Sequence, residues 1–352
     1  MIFAFCSPKV DPEGVAAALT ERFPGTPLAG CSTAGEHLGS EHSTGSLALA
    51  AIYDSSLSWA TQLISDVSTL SESRATKSVD ELFFKLETER DLIEPDRHFA
   101  LLLIDGISMT EERVVAILAD ALEGIPLAGG SAGDDLNFER TTVFNESGAL
   151  QGAAVVVLGE KGRAQVEIMK HQHFEITPKA LCITRATPET RTVQEIDGYP
   201  AIEAYAAALG IAPQNVTSEV AFLNPVTFSC NGQLYVRSIQ QLHPDGSMTF
   251  YCAIEEGMVL EVGSHGDMSQ ELCRDLGALG ETLGKADLVI GFNCILRALE
   301  AEKTQMTGSL ASILQTHTEA MIGFDTYGEQ LNGLHINQTL VAVAIRDDVE
   351  AR

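Results

Sequence analysis

Pro27-Leu-Ala-Gly-Cys-Ser-Thr-Ala-Gly-Glu36 and Pro126-Leu-Ala-Gly-Gly-Ser-Ala-Gly-Asp-Asp135 decide how this chain reads. Both open Pro-Leu-Ala-Gly, and both carry Ser at the sixth position. Each follows a helix-like segment. Each precedes an apolar, strand-like run: Gly45–Tyr53 after the first, Gly152–Gly159 after the second. Small residues in a row let a backbone come close to a ligand or to another strand. Two occurrences imply a duplicated structural unit, with two related loops framing one site.

The segments around these loops alternate in the α/β manner. Ile2–Cys6 reads as a strand, and Asp11-Pro12 opens a helix, since Asp can cap and Pro suits the first turn. Ser46–Tyr53 and Ser58–Ile64 read as strands, and Ser71–Glu89 as a helix. Phe99–Ile104 is a nearly continuous apolar strand of the kind buried on both faces. Thr110-Glu111-Glu112 starts a helix that Gly124 ends, and Leu127–Gly130, Thr141–Phe144, Ala153–Leu158 and Gln165–Ile176 follow as strands. Strand–helix–strand units close right-handed with ligand loops at the carboxyl ends of the strands. Both small-residue loops fall at such ends.

The pattern loosens around Thr177–Arg191, which places a boundary near Thr192 and divides the chain into 1–192 and 193–352. The second part opens with a helix to Leu209, stopped by Gly210. An antiparallel meander over Val220–Phe228, Gln233–Leu242, Thr249–Ile254 and Met258–Gly263 is predicted next, with His243-Pro-Asp-Gly246 as a hairpin turn. Asp267–Leu283, Leu296–Glu302 and Gly308–Thr316 read as helices; Leu288–Phe292, Glu319–Tyr327 and Thr339–Ile345 read as strands. The fold class is α/β: mixed parallel and antiparallel sheets in a layered α/β sandwich, with an internally duplicated amino-terminal half.

Composition narrows function. A net charge of −27 argues against a nucleic-acid partner, because phosphate binding needs clustered Lys and Arg. Anionic membrane surfaces are disfavoured for the same reason. No apolar run reaches spanning length, so no membrane insertion is expected. The start, Met-Ile-Phe-Ala-Phe-Cys, has no basic flank and reads as a strand, which leaves a cytoplasmic location as the default. Seven cysteines with no Cys-x-x-Cys pair speak against a disulfide framework and a structural zinc site.

Several motifs carry a resemblance. Gly-Cys-Ser-Thr-Ala-Gly-Glu (30–36) and Gly-Gly-Ser-Ala-Gly-Asp-Asp (129–135) resemble the amino-terminal half of the FIST sensory domain. Asp197-Gly-Tyr-Pro-Ala201, Asn293-Cys-Ile-Leu-Arg297, Gly323-Phe-Asp-Thr-Tyr-Gly-Glu329 and His335-Ile-Asn-Gln-Thr339 are similar to its carboxyl-terminal half. The resemblance implies a small-ligand sensor. No output module is apparent in the sequence, so a stand-alone sensor acting on a separate histidine kinase or other signalling partner is expected. It also implies haem-based nitric-oxide sensing in some stand-alone members. Alternation places His335, Asn337 and Thr339 on one strand face, where a neutral imidazole can ligate a haem iron or serve as a hydrogen-bonded structural histidine.

Candidate ligand-binding residues follow. Backbone N–H groups of the loops around Gly30, Cys31, Ser32, Thr33, Gly130 and Ser131 can hold a carboxylate or phosphate oxygen, or the small residues serve tight strand packing. Asp134 and Asp135 can bind a cation or Arg297, or simply form the turn. Arg297 has Glu329 as its expected partner, or forks onto a ligand carboxylate. Cys294, Tyr327 and Asn337 complete the set. An enzyme using Cys31 or Ser32 as nucleophile, and a protein-interaction scaffold, are the alternative functions.

Overall fold

The computed structural model describes residues 1–53, 56–88, 94–230 and 232–347. Two compact units emerge. One holds Met1–His171, Leu272–His335 and the segment from Thr339 onward; the other holds Gln172–Glu271 with Ile336–Gln338. These units are not sequential halves, because strands from the last third of the chain join those of the first.

The first unit opens with β1 (Ile2–Cys6), α1 (Pro12–Arg22), β2 (Leu28–Ser32), a hairpin of β3 (Glu36–Leu38) and β4 (Glu41–Ser43), then β5 (Leu47–Ala51) and β6 (Leu57–Ile64). After α2 (Glu72–Lys85) the same order recurs: β7 (His98–Ile104), α3 (Glu111–Ala121), β8 (Leu127–Ser131), the hairpin β9 (Val143–Asn145) and β10 (Gly148–Leu150), then β11 (Ala154–Lys161) and β12 (Gln165–His171).

The second unit is a single sheet in the order β17-β16-β20-β13-β14-β19-β18, with β15 beside β14. Its strands are β13 (Phe174–Thr187), β14 (Thr192–Ile196), β15 (Tyr199–Pro200), β16 (Val226–Cys230), β17 (Gln233–Arg237), β18 (Ile239–Leu242), β19 (Met248–Phe250) and β20 (Val259–His265). Helices α4 (Ala201–Leu209) and α5 (Ser218–Leu223) accompany it, and Tyr205, Met248, Phe250 and Leu260 share its core.

The chain then returns to the first unit through α6 (Met268–Leu283). There follow β21 (Ala286–Cys294), α7 (Ile295–Lys303), α8 (Thr307–His317), β22 (Thr318–Thr326), β23 (Glu329–Leu331), β24 (Leu334–Ile336) and β25 (Leu340–Arg346). This is a third copy of the repeat. In every copy the first two strands pair in parallel: β1 with β2, β7 with β8, β21 with β22. In every copy the strand after the hairpin runs antiparallel to the first strand: β5 on β1, β11 on β7, β25 on β21.

The hairpins leave home. β9 pairs with β2, β23 with β8 and β3 with β22. Each copy thus passes its hairpin to another copy's sheet, and the exchange closes in a ring. The three sheets that result are β10-β9-β2-β1-β5, β24-β23-β8-β7-β11-β6 and β12-β25-β21-β22-β3-β4.

Aromatic rings join the sheets. Phe99, Trp59, Phe3, Phe5, Phe324 and Phe292 form a continuous row with centroid separations of 5.2, 5.9, 6.2, 4.7 and 5.8 Å. The small residues make room for such rings. A Cβ on Gly30 would lie 2.2 Å from Phe144 Cζ and from the Ala4 carbonyl oxygen. One on Gly130 would lie 3.0 Å from the rings of Phe292 and Phe324.

Some expectations need correction. Asp11 sits at φ 57° with no capping bond from its side chain, so α1 begins on Pro12 without it. The stretch from Val220 is not all strand. Thr217 caps α5 by accepting from Val220 N at 3.2 Å, and extended backbone resumes only at Val226. The helix opened by Ser71 ends at Lys85, and its expected end, Glu89, lies outside the described residues.

Candidate functional site

The β3–β4 hairpin turns at Gly39, whose φ of +59° suits a tight reversal. That turn sets Leu38 opposite Glu41 and His37 opposite His42. The two imidazoles stack, with ring centroids 4.6 Å apart. Because the hairpin is handed to β22, both rings face Asp325. His37 Nε2 lies 2.8 Å from Asp325 Oδ1, and His42 Nε2 lies 2.7 Å from Asp325 Oδ2. Gly35 leaves this junction open: a Cβ there would lie 2.4 Å from Asp325 Oδ2 and 2.8 Å from His42 Nε2.

A polar chain continues inward. Asn293, near the end of β21, donates from Nδ2 to Asp325 Oδ1 at 2.6 Å. Arg297, on the first turn of α7, donates from Nη1 to Asn293 Oδ1 at 2.6 Å. Arg297 is only 4% exposed, and its Nε and Nη2 have no hydrogen-bond partner. Among the described residues it makes no ion pair within 4 Å. Glu329, the partner expected from sequence, is engaged elsewhere.

These groups border a cavity of about 450 Å³. Arg297, Asn293, His37 and His42 supply its polar wall; Ala298, Leu310, Leu314, Met321 and Leu340 supply its apolar wall. A second cavity of about 240 Å³ shares His42, Ala298 and Glu302 and reaches Asp135, Lys9 and Asp325. Burial pulls the Arg297 guanidinium down to about 10, against the opposing pull of Glu300, Asp325 and Glu329. Burial alone would raise Asp325, but the charges and hydrogen bonds of His37 and His42 prevail and hold it below the usual carboxylate range. The hydrogen bond to Asp325 raises His42.

The two loops singled out in the sequence do meet, and the Asp325–Glu329 turn joins them. Gly133 N donates to Ser32 O, Asp135 N to Thr33 O, Ala34 N to Asp325 O and Ser131 N to Gly328 O. Ala132 N donates to Ile104 O, and Ser32 N to Thr142 O. These amides therefore hold the repeats together and are not free for an anion. Gly30 and Gly130 serve packing. Ser32 Oγ accepts from Thr142 N, and Ser131 Oγ accepts from Gln330 Nε2. Burial pushes the Cys31 thiol well above its ordinary range, against the thiolate that a nucleophile needs.

Thr33 donates to Glu36, and Thr326 donates to Glu329 at the same spacing. Glu329 also accepts from Thr339 N at 3.1 Å and Thr339 Oγ1 at 2.7 Å, and from the Cys294 thiol. Asp134 accepts from the amides of Phe138, Glu139 and Arg140 and from the Tyr327 hydroxyl. Asp135 accepts from Ser7 Oγ and pairs with Lys9 at 3.0 Å. Of the residues expected from sequence, only Arg297 lines the larger cavity. Asn337 belongs to the second unit.

The family-model comparison covers nearly all of this architecture. The FIST N domain matches residues 1–199, and the FIST C domain matches residues 201–332. The chain belongs to the FIST family. FIST domains are signal-transduction sensor domains. No curated protein matches the chain. The ring of repeats crosses the border between the two FIST domains, since β3 of the FIST N hairpin pairs with β22 of FIST C. Among the described residues no helix of this FIST chain is long and apolar enough to cross a membrane.

Haem was implied for some stand-alone FIST members, and His335 was the candidate ligand in this chain. Here that ring is 2% exposed, its Nδ1 lies 3.2 Å from Gln330 Nε2, and it borders neither of the cavities above. A porphyrin needs an open slot beside the ligating ring. The surroundings of His335 do not fit one.

Sequence reading missed His37, His42, Asn293 and Asp325. Two of these stood inside quoted motifs, Asn293 four residues before Arg297 and Asp325 just before the Thr326-x-x-Glu329 pair. The signal lay in aligning Gly-Phe-Asp-Thr-Tyr-Gly-Glu (323–329) with Gly-Cys-Ser-Thr-Ala-Gly-Glu (30–36). That alignment reveals the third repeat and puts Asp325 where the first repeat has Ser32.

Proposed function

We propose that this chain is a sensor module whose ligand is a small carboxylic acid with an apolar body, bound in the cavity beside Arg297. One observation carries the reading: a guanidinium buried in the cavity wall with two unpartnered nitrogens. Nearby carboxylates offset part of the charge, but leaving buried N–H donors without acceptors is unfavourable by about 1–3 kcal/mol each. A ligand carboxylate would complete the fork with charge-assisted bonds. Leu310, Leu314 and Met321 would receive the apolar part. The volume of about 450 Å³ suits a metabolite-sized molecule.

Binding would be felt along the chain Arg297–Asn293–Asp325–His37/His42, which ends on the hairpin surface. A separate cytoplasmic signalling protein, a histidine kinase for example, would read the change there. Ligand can shift that surface only by binding its two states unequally.

The test is thermal denaturation with amino acids and simple monocarboxylates. One structural class should raise the melting temperature in proportion to the logarithm of its concentration. The matched amides should do nothing. Arg297→Met should abolish the shift, and Arg297→Lys should weaken it. A panel without effect, or a shift that survives Arg297→Met, would overturn the proposal.

A further inference from the structure

We propose that His37, His42 and Asp325 form a binding site for a divalent first-row transition metal at the edge of the large cavity. Two imidazole nitrogens and one carboxylate suit zinc, iron(II) or cobalt(II); magnesium and calcium prefer oxygen throughout. The ligating atoms of the three residues all lie within 4.8 Å of one another, and among the described residues no other group of three His, Cys, Asp or Glu gathers in this way. A metal about 2.0–2.2 Å from each donor needs donors roughly 3 Å apart. His37 Nε2 lies 2.8 Å from Asp325 Oδ1 and His42 Nε2 lies 2.7 Å from Asp325 Oδ2, so the rings meet different oxygens, and seating an ion takes a turn of the carboxylate and an outward shift of both rings.

The support around the cluster is of the kind metal sites use. Asn293 fixes one oxygen of Asp325 at 2.6 Å, and Arg297 fixes Asn293 in turn. The cross-strand pairing of His37 with His42 presets both rings without reliance on a flexible loop. The glycine at position 35 keeps side-chain atoms out of the space between Asp325 Oδ2 and His42 Nε2.

The site has an entry path. The histidine side chains are 20% and 31% exposed and line the cavity. Three protein ligands leave coordination positions for water or a small molecule, as in open metal sites and unlike closed structural ones. The bland competitor is a purely hydrogen-bonded cluster in which two imidazoles share one carboxylate. Metal affinity separates the two.

The proposal does not depend on the carboxylate reading, and its test uses the metal alone. The full chain is stripped with chelator, dialysed and titrated with Co²⁺ followed by Zn²⁺. One Co²⁺ per chain should bind with weak visible absorption and be displaced by Zn²⁺. His37→Ala and His42→Ala, both on a partly exposed hairpin, should each weaken binding by at least about tenfold with an unchanged circular dichroism spectrum. Arg297→Met should retain most of the binding even if it loses every organic ligand. Three results would overturn the proposal. One is the absence of stoichiometric binding. Another is unchanged binding in the His37→Ala/His42→Ala double variant. The third is a thiolate charge-transfer band removed by Cys273→Ser, which would assign the metal to that exposed cysteine.

Discussion

Glu329 shows how a residue's surroundings set its chemistry. Burial raises its carboxyl to about 8, although Thr326, Thr339 and Cys294 all donate to it. In the unfolded chain the same group has an ordinary value of 4.5. Between these values folding takes up a proton, so the contribution to stability is complete below about 4.5 and is lost as pH rises through 8. Wild-type protein is expected to lose up to a few kcal/mol between pH 5 and pH 9 through this group, read as a falling urea midpoint at constant slope. Glu329→Gln should flatten that fall. A variant with the same pH dependence as wild type would show that the carboxylate stays ionised in place. Gly35 is a second residue-scale test. Gly35→Ala would drive a methyl group into Asp325 and His42, and should lower both the melting temperature and the Co²⁺ affinity.

Elements carry the next layer of specificity. A strand with glycine at its centre is ordinarily weak, yet β2 tolerates Gly30 because Phe144 fills the space a side chain would take. Gly30→Ala meets a backbone carbonyl as well as a ring, so it cannot be relieved by a rotamer change. We expect about 1–3 kcal/mol or more of destabilisation by chemical denaturation. Much at this scale was legible in the sequence. The parallel strand–helix–strand starts, the Gly210 helix stop and the His243–Gly246 turn follow from periodicity and turn chemistry. The hairpin exchange was not legible. Short strands such as Glu36–Leu38 and Glu329–Leu331 have too few residues to reveal a period, and nothing local names their partners. The site suffered for the same reason. His37 reaches Asp325 across 288 positions, through a pairing set by tertiary packing. Arg297 was found because it closes the Asn293–Arg297 motif on the first turn of a short helix, where a buried Arg needs an acidic partner, but Glu329, chosen as that partner, was already satisfied by hydroxyl, amide and thiol donors.

The ring of exchanged hairpins is a property of the whole first unit. It predicts how the protein responds to division. A fragment of residues 1–199 ends at the FIST N limit but lacks β21, β22, β23 and β25. It leaves β8 without the β23 edge partner and β3 without β22. Expressed alone it should show a collapsed or aggregated profile on gel filtration, with poor amide dispersion by NMR. Co-expression with residues 201–352 should restore a compact particle. A monodisperse, well-dispersed 1–199 fragment would contradict the interlocked arrangement.

That arrangement also sets an order on synthesis. Within the opening 171 residues, β3, β8 and β12 leave the ribosome long before their partners β22, β23 and β25 exist, whereas nearly all of the second unit is contiguous and available earlier. The middle of the polypeptide can therefore reach its final shape first. Those three edges of the beginning must wait unpaired until the last third has been translated, so the vulnerable interval for chaperone capture falls on them.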